Sequence, residues 1–330
     1  MGVLSRMPAM PLPDYLQPVS DGLYAIDTGF HRPRFDAAYV MVDNGRAAFI
    51  DTGPNPAMPR LLGALDALGV PRSAVDWVIP THVHLDHAGA CGQLMAALPN
   101  AQLLVHPRGA RHLIDPTALY QGALAVYGEA EMERSYGKLL PVPSERVLES
   151  HDGQRVSVGR RALELIDTPG HARHHHCLWD ETTRGWFTGD TFGLSYREFD
   201  VQGRAWIIPT TTPVQFDHAA LQHSMARMLA REPQWMYLTH YAAVGDAHRL
   251  AGLILQQLQA MVDAALALPP SPGRHEQLKQ AFLRIHLKSI REHGCTWSEA
   301  QVAEALAIDI ELNAQGIVIW ADKQRAVRPA

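Results

Sequence analysis

Thr81-His82-Val83-His84-Leu85-Asp86-His87 places three imidazoles and a carboxylate within six consecutive positions. The run before it, Val75-Asp76-Trp77-Val78-Ile79-Pro80, is apolar and β-branched and reads as a buried strand. Residues 88–98, rich in Ala, Leu and Met, read as a helix. The cluster therefore sits where a strand gives way to a helix. Along extended backbone, side chains two apart point the same way, so His82, His84 and Asp86 can face one point. The turn into the helix can swing His87 toward the same point. A lone histidine is ordinarily a packed or solvated side chain. Four ionisable groups crowded together are another matter, because without a cation they are costly to desolvate. Imidazole nitrogen and carboxylate oxygen suit zinc, iron or manganese. The spacing differs from His-Glu-x-x-His, where two histidines four apart share one helix face.

Working outward, 330 residues can hold one large domain, or one domain and a smaller one. Hydrophobic residues make up 47% of the chain, enough for a sizeable core. Twenty-nine basic against 34 acidic side chains leave a formal charge of −5, with no long run of either sign. That argues against a polyanionic partner, and no nucleic acid is expected. Cys91, Cys177 and Cys295 are scattered and odd in number, so no disulfide framework is expected and a reducing cytoplasm fits. Residues 1–18 lack the apolar core of a signal peptide. No run approaches the roughly 18 apolar residues of a membrane span, so no membrane partner is expected.

Four further stretches stand in order along the chain: Phe49-Ile50-Asp51-Thr52-Gly53, Asp167-Thr168-Pro169-Gly170-His171, Phe187-Thr188-Gly189-Asp190 and Leu238-Thr239-His240. Together with the histidine cluster they resemble the ordered motifs of the metallo-β-lactamase superfamily, over about residues 19–241. The resemblance implies an α/β fold, an αββα sandwich of two mixed β-sheets flanked by helices. It also implies a binuclear site: His82, His84 and His171 on one divalent ion, Asp86, His87 and His240 on a second, and Asp190 bridging them opposite a shared water or hydroxide. Asp51 would orient a ligand by hydrogen bond, and Asp86 would also be the catalytic group that moves the proton. Zinc is the default pair of ions, with iron or manganese possible. Where that family has a second Pro-Gly-His after the ligand loop, this chain has Arg173-His174-His175-His176. There His175 would pack beside the site rather than bind metal.

The resemblance points to a hydrolase acting on a small-molecule thioester, ester or lactone through the metal-bridging hydroxide. Glyoxalase II and acyl-CoA thioesterases of the superfamily combine seven ligands with C-terminal helices, the arrangement most like this one. A His at 84, not Glu, disfavours the oxygen-reducing diiron branch. An Asp at 190 disfavours penicillin-type substrates, and Phe192-Gly193 in place of a Tyr weakens the lactonase match. Alternatives are a phosphodiesterase or phosphotriesterase on the same site, a mononuclear-iron sulfur dioxygenase, and a regulatory or binding protein acting through its tail. No Gly-x-Ser-x-Gly elbow offers a serine nucleophile.

Three regions are expected. Residues 1–18, with Pro8, Pro11, Pro13 and Pro18, read as an irregular arm. Residues 19–245 read as the catalytic domain. Residues 246–330 read as an all-helical C-terminal extension of three helices, for homodimerisation or for shaping the substrate mouth. Pro and Gly at 269–273 break its first helix, and Ser298 or Thr296 caps its third. Residues 191–206 follow a ligand directly, so Phe192 and Tyr196 are candidate substrate contacts. Tyr120, Tyr127 and Tyr136 lie in a helical insertion, either as packed aromatics or as substrate contacts.

Overall fold

The strand sequences are apolar at consecutive positions, and the burial pattern shows why. In the strand Ala37–Asp43, Tyr39 and Met41 enter one core, while Ala38 and Val40 enter another on the opposite face. The next strand, Arg46–Ile50, divides the same way, with Ala48 and Ile50 on one side and Ala47 and Phe49 on the other. Period-two alternation with both faces buried requires layers above and below the sheet.

Those layers are seen in the computed structural model, which describes residues 11–327. The first sheet is mixed and seven-stranded, in the order β1 (Leu16–Ser20), β2 (Leu23–Asp27), β3 (Ala37–Asp43), β4 (Arg46–Ile50), β5 (Val75–Ile79), β6 (Gln102–Val105), β7 (Val147–Glu149). Strands β1 to β4 are antiparallel, and β4 to β7 are parallel. The second sheet has six strands: β8 (Arg155–Val158), β9 (Arg161–Asp167), β10 (His176–Asp180), β11 (Gly185–Gly189), β12 (Trp235–Leu238) and β13 (Ala242–Val244). It is antiparallel except for the β11–β12 pair. Leu178, Phe187 and Tyr237 meet the first sheet, while Trp179, Trp186 and Met236 point the other way. The αββα sandwich is therefore the observed architecture.

Helices α1 (Met58–Leu68), α2 (Leu85–Ala88), α3 (Cys91–Ala97) and α4 (Pro107–Ile114) follow in the first half of the chain. Leu61 and Leu65 of α1 and Leu94 of α3 fill the core on the outer face of the first sheet. An insertion between β6 and β7 continues as α5 (Thr117–Tyr127), α6 (Glu129–Glu131) and one π-turn at Met132–Tyr136. Helix α7 (His218–Leu229) starts at Asp217, whose carboxylate accepts the Ala220 N–H.

The tail forms four helices: α8 (Ala247–Ala267), α9 (Arg274–His293), α10 (Glu299–Ala305) and α11 (Ala307–Val327). The expected third helix breaks in two at Leu306, and Ser298 caps it through a capping box with Gln301. Leu250, Ile254, Leu258 and Met261 of α8 share one core with Trp186 and Met236 of the second sheet. Contrary to the expectation from composition, α8 is long and apolar enough to cross a membrane. In this fold it packs against α7, α9 and α11, and those four side chains are buried in the shared core.

The irregular arm needs correction at its end. Leu16, Gln17 and Pro18 belong to β1, an edge strand, where a proline costs no ladder bond in the sheet interior. Residues 1–10 lie outside the described residues. Strands β7 and β13, three residues each, are too short to show a sequence pattern, and β1 is an edge strand interrupted by Pro18.

Candidate metal centre

Each proposed ligand follows the end of a sheet strand. Residues 82–87 follow β5, His171 follows β9, Asp190 follows β11 and His240 follows β12. His84 keeps extended backbone and α2 begins at the next residue, which turns Asp86 and His87 back toward His82. Gly189 allows Asp190 to come close. A Cβ there would lie 2.5 Å from both Thr81 Oγ1 and His175 Nε2, and its φ of 45° is left-handed.

All seven predicted ligands converge. His84 Nδ1 lies 2.9 Å from His82 Nε2 and 3.0 Å from His171 Nε2. Asp86 Oδ2 lies 3.4 Å from His240 Nε2 and 3.7 Å from His87 Nε2. Asp190 stands between the two triads. Its Oδ2 is 3.5 Å from His171 Nε2, and its Oδ1 is 3.2 Å from His87 Nε2 and 3.8 Å from His240 Nε2. One ligand atom from each member of either triad lies within 4.8 Å of the others.

The opposite edges of the rings are held by other groups. His87 Nδ1–H donates to Asp51 Oδ2 at 2.9 Å, and His240 Nδ1–H donates to the Phe35 carbonyl at 2.9 Å. His171 Nδ1 pairs with Thr210 Oγ1 at 2.8 Å. Asp51 also accepts the Thr81 N–H at 2.6 Å and the Thr239 hydroxyl at 2.8 Å. It thus ties together the ends of β4, β5 and β12. This is the placement expected of a group that orients a ligand.

A cation fits this donor set. His87 Nε2 and Asp190 Oδ1 are buried and face each other at 3.2 Å, yet neither makes a well-formed hydrogen bond to any described residue. Such orphaned atoms are rare unless something else satisfies them. The electrostatics agree. Burial lowers the pKa of His87, but Asp190, Asp86 and Asp51 outweigh it and hold the ring well above its usual range. Burial raises that of Asp190, but His87 and His171 hold it well below. Burial, with His87 and His84 beside it, holds His82 well below. The nitrogen and carboxylate set suits zinc, iron or manganese alike.

The substituted run sits beside the cluster, outside it. His175 Nε2 accepts the Asp190 N–H at 3.3 Å while its Nδ1 pairs with Thr168 Oγ1 at 2.9 Å. It fixes the backbone of Asp190. His176 opens β10 and donates from Nε2 to the Pro80 carbonyl at 2.9 Å. Burial pushes its pKa down to about 3.

A cavity of about 550 Å³ opens over His84, Asp86, Asp190 and His240. Its walls come from Phe30 and Phe35 after β2, from Tyr127 and Tyr136 of the insertion, and from the start of α11. Phe192 and Tyr196 do not line it, which corrects their assignment as substrate contacts. Both are fully buried. Phe35 stacks on Tyr196 with centroids 5.2 Å apart, so the tyrosine lies one layer behind the wall. From residues 191–206, Leu194 is the side chain that reaches the cavity. Sequence reading missed Thr210, Phe35 and Asp309. The first two act through a hydroxyl or a carbonyl and carry no motif. Asp309 had a signal, an acid within Ala307-Ile308-Asp309-Ile310.

Comparison with known proteins agrees with this geometry. The family model described as "Metallo-beta-lactamase superfamily" matches residues 31–240. A metallo-beta-lactamase fold-containing protein of Sulfurisphaera tokodaii is 26% identical over 281 residues, covering 82% of this chain and 97% of that one. A hydroxyacylglutathione hydrolase of Thermosynechococcus vestitus is 29% identical over 258 residues, covering 75% and 82%. The crystal structure of a metallo-beta-lactamase family protein from Thermus thermophilus shares the fold. Its TM-score is 0.62 at 21% identity, covering 87% of this chain and 95% of that one.

Proposed function

The chain belongs to the metallo-β-lactamase superfamily of metal-dependent hydrolases, and on that premise we propose that it cleaves a small acyl compound, a thioester, ester or lactone, at a binuclear centre. One observation carries this reading: Asp190 turns one carboxylate oxygen toward His171 of the first triad and the other toward His87 and His240 of the second. His82, His84 and His171 would hold one cation, Asp86, His87 and His240 the other, with Asp190 shared. Two divalent cations so held would acidify a water between them and polarise the scissile carbonyl.

The chain's own groups supply the rest. With cations bound in place of protons, His87 and His240 would turn a lone pair on Nε2 to the metal, because each ring keeps its Nδ1–H on Asp51 or on the Phe35 carbonyl. Asp86 is the ligand with the most open side chain of those in the second triad, 20% exposed, and it faces the cavity. It is placed to accept the proton of the attacking water and return it to the leaving group. The walls favour an acyl substrate over a phosphoryl one. Arg134 is the single Arg or Lys among the described lining residues, and it is paired with Glu131. Beyond the cations themselves, the described wall thus offers a phosphoryl group no unpaired guanidinium or ammonium. Similarity to a hydroxyacylglutathione hydrolase supports the same choice.

The expected outcome is hydrolysis of simple acyl thioesters that disappears on chelation and returns with zinc, with two metal ions per chain by elemental analysis. His82→Ala and Asp190→Ala should each lose several orders of magnitude in kcat/KM. Full turnover in metal-free protein, or faster cleavage of aryl phosphate esters than of acyl esters, would overturn the proposal.

A further inference from the structure

Beside the cavity over the metal-capable cluster lies a second one, of about 300 Å³, and His84, Val126, Tyr127 and Thr212 line both. Helix α5 forms one wall of the second cavity. Its eleven residues, Thr117–Tyr127, include no charged side chain, yet none of them is buried. An apolar helix face ordinarily packs on a core. Here Ala118, Leu119, Gly122, Ala123 and Val126, three and four apart on one helix face, line the cavity instead. Leu119 and Ala123 are half-buried at the edge of the main core.

The two cavities differ in charge. Asp86, Glu131, Arg134, Asp190, Asp309 and Glu311 line the first. Among the described residues no Asp, Glu, Lys or Arg lines the second, whose remaining apolar surface comes from Val83, Leu85, Pro213 and Val214. Its polar members away from the junction are His112, His174 and Gln215. The Val83 N–H points at His174 Nδ1 at 3.5 Å, and Gln215 Oε1 accepts the Arg173 N–H at 2.8 Å. Histidines are ordinarily neutral above about pH 6.5. Val126 and Val214, both apolar, stay exposed at this cavity. Position separates the cavities too. Asp86, the group placed to return a proton to the leaving group, lines the first and not the second. A thioester with its carbonyl over the cluster therefore has its leaving thiol on the first side and its acyl chain on the side beyond His84.

We propose that this second cavity is the acyl-chain site, so that the substrate class is a thioester with an unbranched, uncharged alkyl chain lying along α5. This rests on the hydrolytic reading above. From Ala118 to Val126 the lining face is about 12 Å long by helix rise, room for the extended chain of an octanoyl group. An alkyl chain gains by leaving water for a wall without ionised groups, whereas in the first cavity it would displace the water that charged side chains need. Gly122 keeps the groove open. A Cβ there would meet nothing within 4 Å. A longer side chain would lean back over Ala118 and Leu119, along the groove. Glycine is a poor helix former and its backbone here is not left-handed, so the helix itself gives no reason for it.

The test uses the zinc-loaded full chain and phenyl thioesters of butanoic, hexanoic and octanoic acids. A fully buried methylene is worth about fourfold, so the added methylenes in a partly open groove should favour octanoyl over butanoyl by about tenfold or more in kcat/KM, carried mainly by KM. Gly122→Phe should bring that ratio to within about threefold, because the ring occupies the groove. Gly122→Ala also removes the glycine but leaves the groove open, and it should keep most of the ratio. Calorimetry of octanoate against butanoate should show the same contrast without turnover. A ratio that survives Gly122→Phe, a ratio that falls equally in Gly122→Ala, or wild-type protein indifferent to chain length overturns the proposal. Should Gly122→Phe not fold, Ala118→Phe, one turn back on the same face, is read in its place by the same criterion. Absence of metal-dependent turnover on every thioester would instead sink the hydrolytic reading, whereas turnover with flat ratios removes only the acyl-chain site.

Discussion

Replacing Asp51 by Asn should damage one half of the metal centre more than the other. Asp51 has a φ of 56°, in the left-handed region that Asn also tolerates, so the backbone need not move. The carboxylate now receives only donors: the Thr81 N–H, the Thr81 and Thr239 hydroxyls, and His87 Nδ1–H. An amide has one acceptor oxygen. If that oxygen stays on the Thr81 N–H, the NH2 group meets His87 Nδ1, donor against donor. His87 can escape by moving its proton to Nε2, which removes the lone pair needed at the Asp86–His87–His240 triad. Lost partners of this kind typically cost about 10- to 100-fold in metal affinity. Charge-assisted hydrogen bonds contribute about 1.5–3 kcal/mol each, so the metal-free protein should also lose on the order of 3 kcal/mol. Zinc titration against a chromophoric chelator, with urea melts of the metal-free chain, measures both. Stepwise titration should show one site weakened and the His82–His84–His171 site close to wild type. Two sites of unchanged affinity would refute the assignment of Asp51 as the group that sets the His87 tautomer.

His286 offers a pH test remote from that centre. It is fully buried in α9, donates from Nδ1 to Gln257 Oε1 at 2.9 Å, and burial pushes its pKa down to about 4. The unfolded chain takes up the proton from about pH 6.5 downward and the folded chain does not, so stability present above 6.5 is lost as pH falls toward 4. From this group the loss approaches about 3 kcal/mol, and urea melts at pH 7 and 4.5 should differ less in His286→Asn than in wild type. Equal differences would show that the ring titrates normally. A chain ending at residue 245 should fail to fold cooperatively. Five large apolar side chains of α8 alone, Leu250, Ile254, Leu258, Met261 and Val262, are buried in the core shared with the second sheet. At about 2 kcal/mol each they match much of the 5–15 kcal/mol that holds a typical domain. A truncated chain with a sharp melting transition and bound zinc would refute this.

The fold was legible where a strand is long and buried, and where a motif ends it. Residues 75–80 showed β5 through their apolar run, and the five ordered motifs gave the sandwich and the seven convergent side chains. The strands that escaped notice are short or at sheet edges. Three residues at Val147–Glu149 or Ala242–Val244 are too few to display a period of two. Composition also misjudged α8, because a core helix can be as apolar as a membrane helix. Phe192 and Tyr196 were misread for a related reason. Nearness in sequence to a ligand says which strand end a residue follows, but the depth of its side chain is set by what packs over it, and here Phe35 from a distant loop lies in front.

That failure has a consequence for how the molecule divides its labour. The metal-capable side chains all follow sheet strands, so their positions are fixed by two sheets that share the core of Tyr39, Phe187 and Tyr237. The walls come from elsewhere: the loop after β2, the insertion between β6 and β7, and the start of α11. None of these segments supplies a ligand. A change in the insertion or in α11 can therefore alter what the cavity admits while the cluster stays in place, whereas a change at Asp51 reaches the cluster and leaves the walls alone. Motifs record the first kind of constraint because the cluster tolerates few residue types. They are silent on the second because many side chains can make a wall. Substrate choice has to be read from the wall itself, where aromatic and aliphatic side chains stand beside the polar groups of α11.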